Sequence, residues 1–193
     1  MNEKIYIYPT DTVWGIGCHI ESQNGFEQIA LIKQTSRKKP LSILFTNREE
    51  IFNYFNFNER FTKDEFSKIS ALGVSYLIPK EKCILKIPLF YTELSEYISV
   101  RLIENSEELN KLRLEIGAPF YTTSLNITGM NPITSQDEAQ KFCNDLEIKT
   151  EFVKCNQLTL SGVSSTIIKF DLNWNVSIVR KGLNQNKILE ILK

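Results

Sequence analysis

Apolar residues recur along this chain in two rhythms. Short runs rich in β-branched and aromatic residues predict strands at 4–8 (KIYIY, stopped by Pro9), 42–45, 74–78 (stopped by Pro79), 98–103, 120–123, 165–170 and 176–179. Between them lie stretches with helical spacing. Residues 23–34 carry Phe26, Ile29, Ala30 and Ile32 on one side, and 49–54 and 59–72 follow, the second with Asn58 as its cap. Ser106 begins a helix that Gly117 ends, and Ser135 with Glu138 reads as a capping box for a helix through Leu146. A last helix starts near Asn184. Residues 80–91 have no clear period and are expected to form a mobile loop. This alternation predicts one α/β domain over 1–193, built on a mixed sheet with flanking helices. There is no repeat, low-complexity tract or linker.

Composition sets outer limits. A chain of 193 residues with 42% hydrophobic residues has ample material for one core. Its 23 basic and 23 acidic residues balance, which excludes a protein whose main work is coating nucleic acid and leaves room for a weak local RNA contact. No apolar run reaches the roughly 18 residues of a membrane span, and the N-terminus lacks a signal peptide's form, so a cytoplasmic protein with no membrane partner is expected. The four cysteines have no CxxC spacing, and His19 is the one histidine. Zinc binding and a disulfide framework are disfavoured, and His19 reads as a surface loop residue rather than a catalytic base. The acidic cluster 104–108 reads as a solvated helix start.

Four segments carry candidate chemistry. Residues 8–15 (YPTDTVWG) follow a strand, and their hydroxyls and carboxylate suit a small polar ligand; Pro, Thr and Asp also make turns. Residues 33–40 (KQTSRKKP) hold four cations, enough to neutralise a triphosphate, although a solvated basic loop reads the same way. Residues 122–129 (TTSLNITG) end a strand in hydroxyls and an amide that can bond phosphate or ribose oxygens, or close an Asx-turn. Ser161 to Ile168 and then Val179-Arg180-Lys181-Gly182 place serines and an arginine at strand ends.

Taken together and in this order, these segments resemble the YrdC/TsaC family of threonylcarbamoyl-AMP synthases. The likeness runs from about Lys4 to Gly182 and includes Ile32-Lys33, Pro40-Leu41, Val100-Arg101, Ser124-x-Asn126, Ser165-Thr166 and Arg180-x-Gly182. It implies a twisted mixed α/β sheet with a large basic cavity. It also implies an L-threonylcarbamoyladenylate synthase that joins L-threonine, bicarbonate and ATP, releasing pyrophosphate, for N6-threonylcarbamoyladenosine modification of tRNA. By that likeness Thr12, Arg101, Thr122 and Ser165 bind threonine, with Arg101 on its carboxylate. ATP lies along Lys33, Lys39, Ser124, Asn126, Thr134 in the 131–134 loop, and Arg180. Lys33 is the catalytic residue, and Mg²⁺ accompanies ATP with no dedicated protein site. The product passes to a downstream tRNA threonylcarbamoyl transferase.

The chain departs from the family in places. Thr35 stands where the family has the arginine of Lys-x-Arg, which weakens phosphate neutralisation unless Arg37 or Lys38 substitutes. The family's Pro-Gly-Pro-x-Thr is reduced to Leu72-Gly73-Val74-Ser75, and Pro132 replaces a frequent serine. The chain ends soon after Gly182, so the extra C-terminal domain of some relatives is not expected. Three alternatives stay open: an RNA-binding module, an inactive nucleotide-binding relative, and a carbamoyl-transfer role. Trp14, where the family has Tyr or Phe, is expected in the core.

Overall fold

The computed structural model describes residues 4–36, 39–57, 62–155 and 160–192. Strand β1 (Ile5–Pro9) turns back into β2 (Trp14–His19), followed by helix α1 (Gln23–Ile32) and β3 (Ser42–Phe45). Helices α2 (Arg48–Tyr54) and α3 (Lys63–Ser70) lead to β4 (Val74–Pro79), the short α4 (Leu89–Thr92) and β5 (Tyr97–Leu102). Then come α5 (Glu107–Ile116), β6 (Phe120–Ser124), α6 (Gln136–Asn144), β7 (Thr150–Phe152), β8 (Thr166–Phe170), β9 (Val176–Arg180) and α7 (Gln185–Ile191). The strands form one mixed sheet in the order β7-β1-β2-β6-β3-β5-β4-β8-β9. The α/β class and the mixed sheet expected from the pattern are what the chain adopts.

Several elements differ from expectation, among them the three-residue β7 (Thr150–Phe152), which the pattern did not predict. β2 escaped the pattern because Gly15 and Gly17 weaken a strand's signature. The fold needs those glycines: a Cβ on Gly17 would sit 2.1 Å from the Tyr121 carbonyl oxygen and 2.5 Å from the Tyr8 hydroxyl. Helix α3 starts at Lys63 rather than 59, because Thr62 and Glu65 form a reciprocal capping box. The proposed cap Asn58 lies outside the described residues. The stretch 80–91, expected as a loop, contains a 3₁₀ turn (Lys80–Lys82) and α4. It is held by Tyr91, whose buried hydroxyl donates to the Leu41 carbonyl at 2.6 Å and accepts the Ser99 N–H at 3.2 Å.

The sheet's two faces are unlike. One face carries the main core, including Ile7, Trp14, Ile16, Ile43, Tyr76, Val100 and Ile168, under α1, α4 and the surrounding loops. Trp14 is fully buried there and stacks on Phe152 at 5.1 Å, as the core reading expected. On the other face, α5 covers one end only. Its Leu109, Leu112 and Ile116 pack on Tyr6, Tyr8, Leu44 and Phe120. Ser106 and Gly117 cap that helix as predicted, Gly117 in the left-handed region at φ 80°. The rest of this face carries mostly hydroxyls and charged side chains, with Leu77 and Ile167 toward its β4–β8 side.

Candidate active site

Residues 10–13 form the tip of the β1–β2 hairpin, where Pro9 pairs with Trp14. Thr10 builds the tip. Its hydroxyl donates to the Val13 carbonyl at 2.6 Å and accepts the N–H groups of Thr12 and Val13 at 3.1 and 3.2 Å. Asp11 and Thr12 are left at the apex. The apex is tied to the 161–162 loop, since Ser161 N–H reaches the Asp11 carbonyl and Gly162 N–H the Thr12 carbonyl, at 3.1 and 2.9 Å.

Behind this apex lies the polar half-face. Side chains alternate across a strand, so register decides which residues share it. Thr122 pairs with both Gly17 and Ser42, Leu44 pairs with Arg101, and Arg101 with Ser75. All therefore belong to the face that α5 covers at its other end. Their hydroxyls are linked: Tyr8 donates to Thr122 at 2.6 Å, Ser42 meets Ser99 at 2.7 Å, and Ser75 meets Ser165 at 2.8 Å. The Tyr8 hydroxyl is wholly buried, and burial raises its pKa, so it stays a neutral donor. Arg101 is 5% exposed. Its Nη2 donates to both oxygens of Asp11 at 2.6 Å, and its Nη1 to the Val74 carbonyl.

Lys33 caps α1, the helix that packs on the core face, and reaches the end of β6. Helix α1 ends there in a Schellman motif: Gln34 N–H bonds Leu31 O, and Thr35 N–H bonds Ala30 O. Gln34 fills the left-handed position at φ 49°, where glycine is usual. The buried Lys33 ammonium donates to Ser124 O at 2.5 Å and to Asn126 O and Oδ1 at 3.0 Å each. Burial, and then the charge of Lys39, lowers its pKa to about 8. Asn126 also accepts from Ser124 Oγ at 2.7 Å and donates to Ile127 O and Met130 O. The Ser-x-Asn segment is thus a loop folded around one cation.

Arg180 is exposed at the end of β9, and its Nη2 donates to Ser165 O and Oγ at 2.8 and 3.1 Å. Partial burial lowers its pKa. Gly182 lets this strand close: a Cβ there would lie 2.4 Å from Ser164 O. Thr134 is exposed and lies beside the apex loop, its methyl 3.9 Å from a Cβ built on Gly162.

The Sua5/YciO/YrdC family model, described as telomere recombination, matches residues 1–182. The chain belongs to the Sua5/YciO/YrdC family. A threonylcarbamoyl-AMP synthase of Pseudoalteromonas translucida is 27% identical over 140 residues, covering 71% of this chain and 72% of the relative. The fold matches P. abyssi Sua5 solved in complex with L-threonine, with a TM-score of 0.78, 21% identity and coverage of 98% of this chain and 54% of that one. This chain therefore spans about half the length of that Sua5. It also matches E. coli YciO, with a TM-score of 0.76, 20% identity and coverage of 96% and 86%.

Of the residues the sequence singled out, Arg101, Thr122 and Ser165 lie on one face of the sheet, Arg180 bonds Ser165, and Thr12 sits at the apex beside Asp11, which bonds Arg101. Lys33 at the end of α1, Ser124 at the end of β6 and Asn126 in the loop that follows form a second group. Lys39 is exposed beside Lys33, while Arg37 and Lys38 lie outside the described residues. Thr35 donates its N–H to the α1 cap. Tyr8 and Asp11 fell within the candidate segment 8–15 but were given no individual role, and Ser75, Ser42 and Ser99 were not named as site residues. The signal for Ser75 and Ser99 was alternation, each being a hydroxyl between buried apolar neighbours. His19 ends β2 and accepts the Glu21 N–H at 3.0 Å. The acidic stretch is not freely solvated: Glu104 accepts from Arg48 at 3.0 Å and Ser67 at 2.7 Å. A cavity of about 310 Å³ opens beside Asp11, between α3 and the start of α5. Its charged lining is acidic (Asp11, Glu104, Glu108), and neither Lys33 nor Arg180 borders it, so it is a different space from the basic cavity the resemblance implied.

Proposed function

We propose that this chain is an L-threonylcarbamoyladenylate synthase. It joins L-threonine, bicarbonate and ATP into threonylcarbamoyl-AMP, releasing pyrophosphate, and supplies a tRNA threonylcarbamoyl transferase. The observation that carries this reading is the polar half-face. The hydroxyls of Thr122, Ser42, Ser75 and Ser165 share one face of the sheet with the buried Arg101, and the buried Lys33 ammonium meets the Ser124 and Asn126 carbonyls at and just past the end of β6. The names of its relatives point the same way.

In this reading threonine lies against Thr12, Thr122 and Ser165, with its carboxylate on Arg101. The phosphates of ATP lie toward Lys33, Lys39, Ser124, Asn126, Thr134 and Arg180, in a basic cleft above the polar half-face. The amine condenses with bicarbonate with loss of water, or adds to carbon dioxide with loss of a proton, to give a carbamate, whose oxygen attacks the α-phosphate as pyrophosphate departs. The protein's work is to hold the reactants together and to neutralise phosphate charge. Thr122 Oγ1 already accepts from Tyr8, so its own proton is free to meet a ligand oxygen. Lys33 orders the phosphate loop through its three acceptors and adds positive potential. Among the described residues, no group of three or more His, Cys, Asp and Glu gathers to hold an ion. Mg²⁺ would be carried in by the phosphates, with hydroxyl oxygens such as those of Ser124 and Thr134 as the protein groups able to face it, and would share with Lys33 and Arg180 the neutralisation of phosphate charge.

The test is pyrophosphate release with each substrate omitted in turn. The synthase reading expects release only when threonine, bicarbonate and ATP are all present. Release without threonine, or salt-dependent RNA binding with no release, would overturn it.

A further inference from the structure

Both terminal nitrogens of Arg101 are occupied by the protein itself. Nη1 is held by the Val74 carbonyl, and Nη2 is shared between the two oxygens of Asp11 at 2.6 Å each. The two partners are unequal in burial. The arginine side chain is 6% exposed, whereas the aspartate side chain is 33% exposed. Asp11 sits at a hairpin apex, and its backbone is anchored by the Ser161 N–H independently of its carboxylate. A guanidinium this deeply buried needs a counter-charge, because an unpaired one carries a heavy desolvation cost. Asp11 provides that charge within the chain.

We propose that Asp11 is a displaceable counter-ion: its carboxylate occupies the seat on Arg101 that a substrate α-carboxylate takes, and the two compete for it. This rests on the reading that Arg101 binds the carboxylate of threonine. An incoming carboxylate replaces one anion with another, so the buried arginine is never left unpaired. Asp11 is exposed enough to turn to solvent while its backbone stays in place. The exchange selects for ligands that carry a carboxylate, since a neutral analogue cannot evict a charged group. It also weakens binding, because only the fraction of molecules with Asp11 turned away can accept substrate.

The experiment is calorimetric titration of the wild-type chain and Asp11→Asn with L-threonine and with L-threoninamide, which lacks the carboxylate. Asparagine keeps the size and removes the competing charge. The proposal expects threonine to bind Asp11→Asn about fivefold or more tightly than wild type, with no gain for threoninamide. In the wild-type chain, the ¹³C resonance of the Asp11 carboxylate should move on adding threonine, which tests the same displacement even if the variant folds poorly. Threonine binding to wild type with a stationary Asp11 resonance, or a folded Asp11→Asn with unchanged or weaker affinity, would overturn the proposal alone. If neither protein binds threonine, the parent reading fails and this one with it.

Discussion

At the scale of single residues, Lys33 does two things. Its ammonium closes the Ser-x-Asn loop, and it brings a charge into the site. With its pKa lowered to about 8 by burial and Lys39, the charged form declines as pH rises through that value. kcat/KM for ATP is therefore expected to fall above about pH 8. Stability runs the other way. Between pH 8 and 10.5 the unfolded chain binds a proton that the folded chain does not, so stability rises across that window. Lys33→Met should flatten both dependences, and by stranding buried acceptors it should cost about 1–3 kcal/mol in a denaturant melt. Thr122→Val makes a second test. It removes the acceptor of the buried Tyr8 hydroxyl, with an expected loss of about 1–3 kcal/mol together with weaker threonine binding. Tyr8→Phe in the same background should recover part of the stability, read by thermal melts, and none of the binding.

Elements explain why these residues meet. The hairpin tip exists because Thr10 closes it and because Gly15 and Gly17 let β2 lie under the tyrosines of β1. Gly17→Ala would drive a methyl into the Tyr121 carbonyl, and a loss of about 3 kcal/mol or more is expected in a thermal melt. Gln34→Gly should instead stabilise by about 1 kcal/mol, since a side chain now occupies the left-handed position of the α1 cap. Most elements were legible. Ser106 and Gly117 bracket α5, and the branched runs of β3, β4 and β8 read directly. The rest had physical reasons for staying hidden. β2 trades strand propensity for close backbone approach, β7 has only three residues (Thr150–Phe152), and α4 is one turn held by the Tyr91 hydroxyl. The start of α3 was missed because the Thr62–Glu65 box is a local signal stronger than the apolar period.

The whole molecule shows what local patterns cannot carry. Motif order was enough to name Thr12, Arg101, Ser124 and Arg180. Only the strand order could reveal that β6, β3, β5 and β4 lie side by side and that Thr122, Ser42, Ser99 and Ser75 share one face. The Asp11–Arg101 pair is likewise invisible in sequence, because it joins residues 90 positions apart. A sheet face padded by α5 at one end and lined mainly by hydroxyls and Arg101 at the other is the architecture on which the proposed chemistry depends. The measurement that tests this most directly supplies ¹³C-bicarbonate with ATP and L-threonine and analyses the products by mass spectrometry. The account predicts an adenylate that contains threonine and one ¹³C carbon, lost in parallel when Arg101 or Lys33 is replaced. An adenylate without the label, or product formation untouched by those replacements, would contradict it.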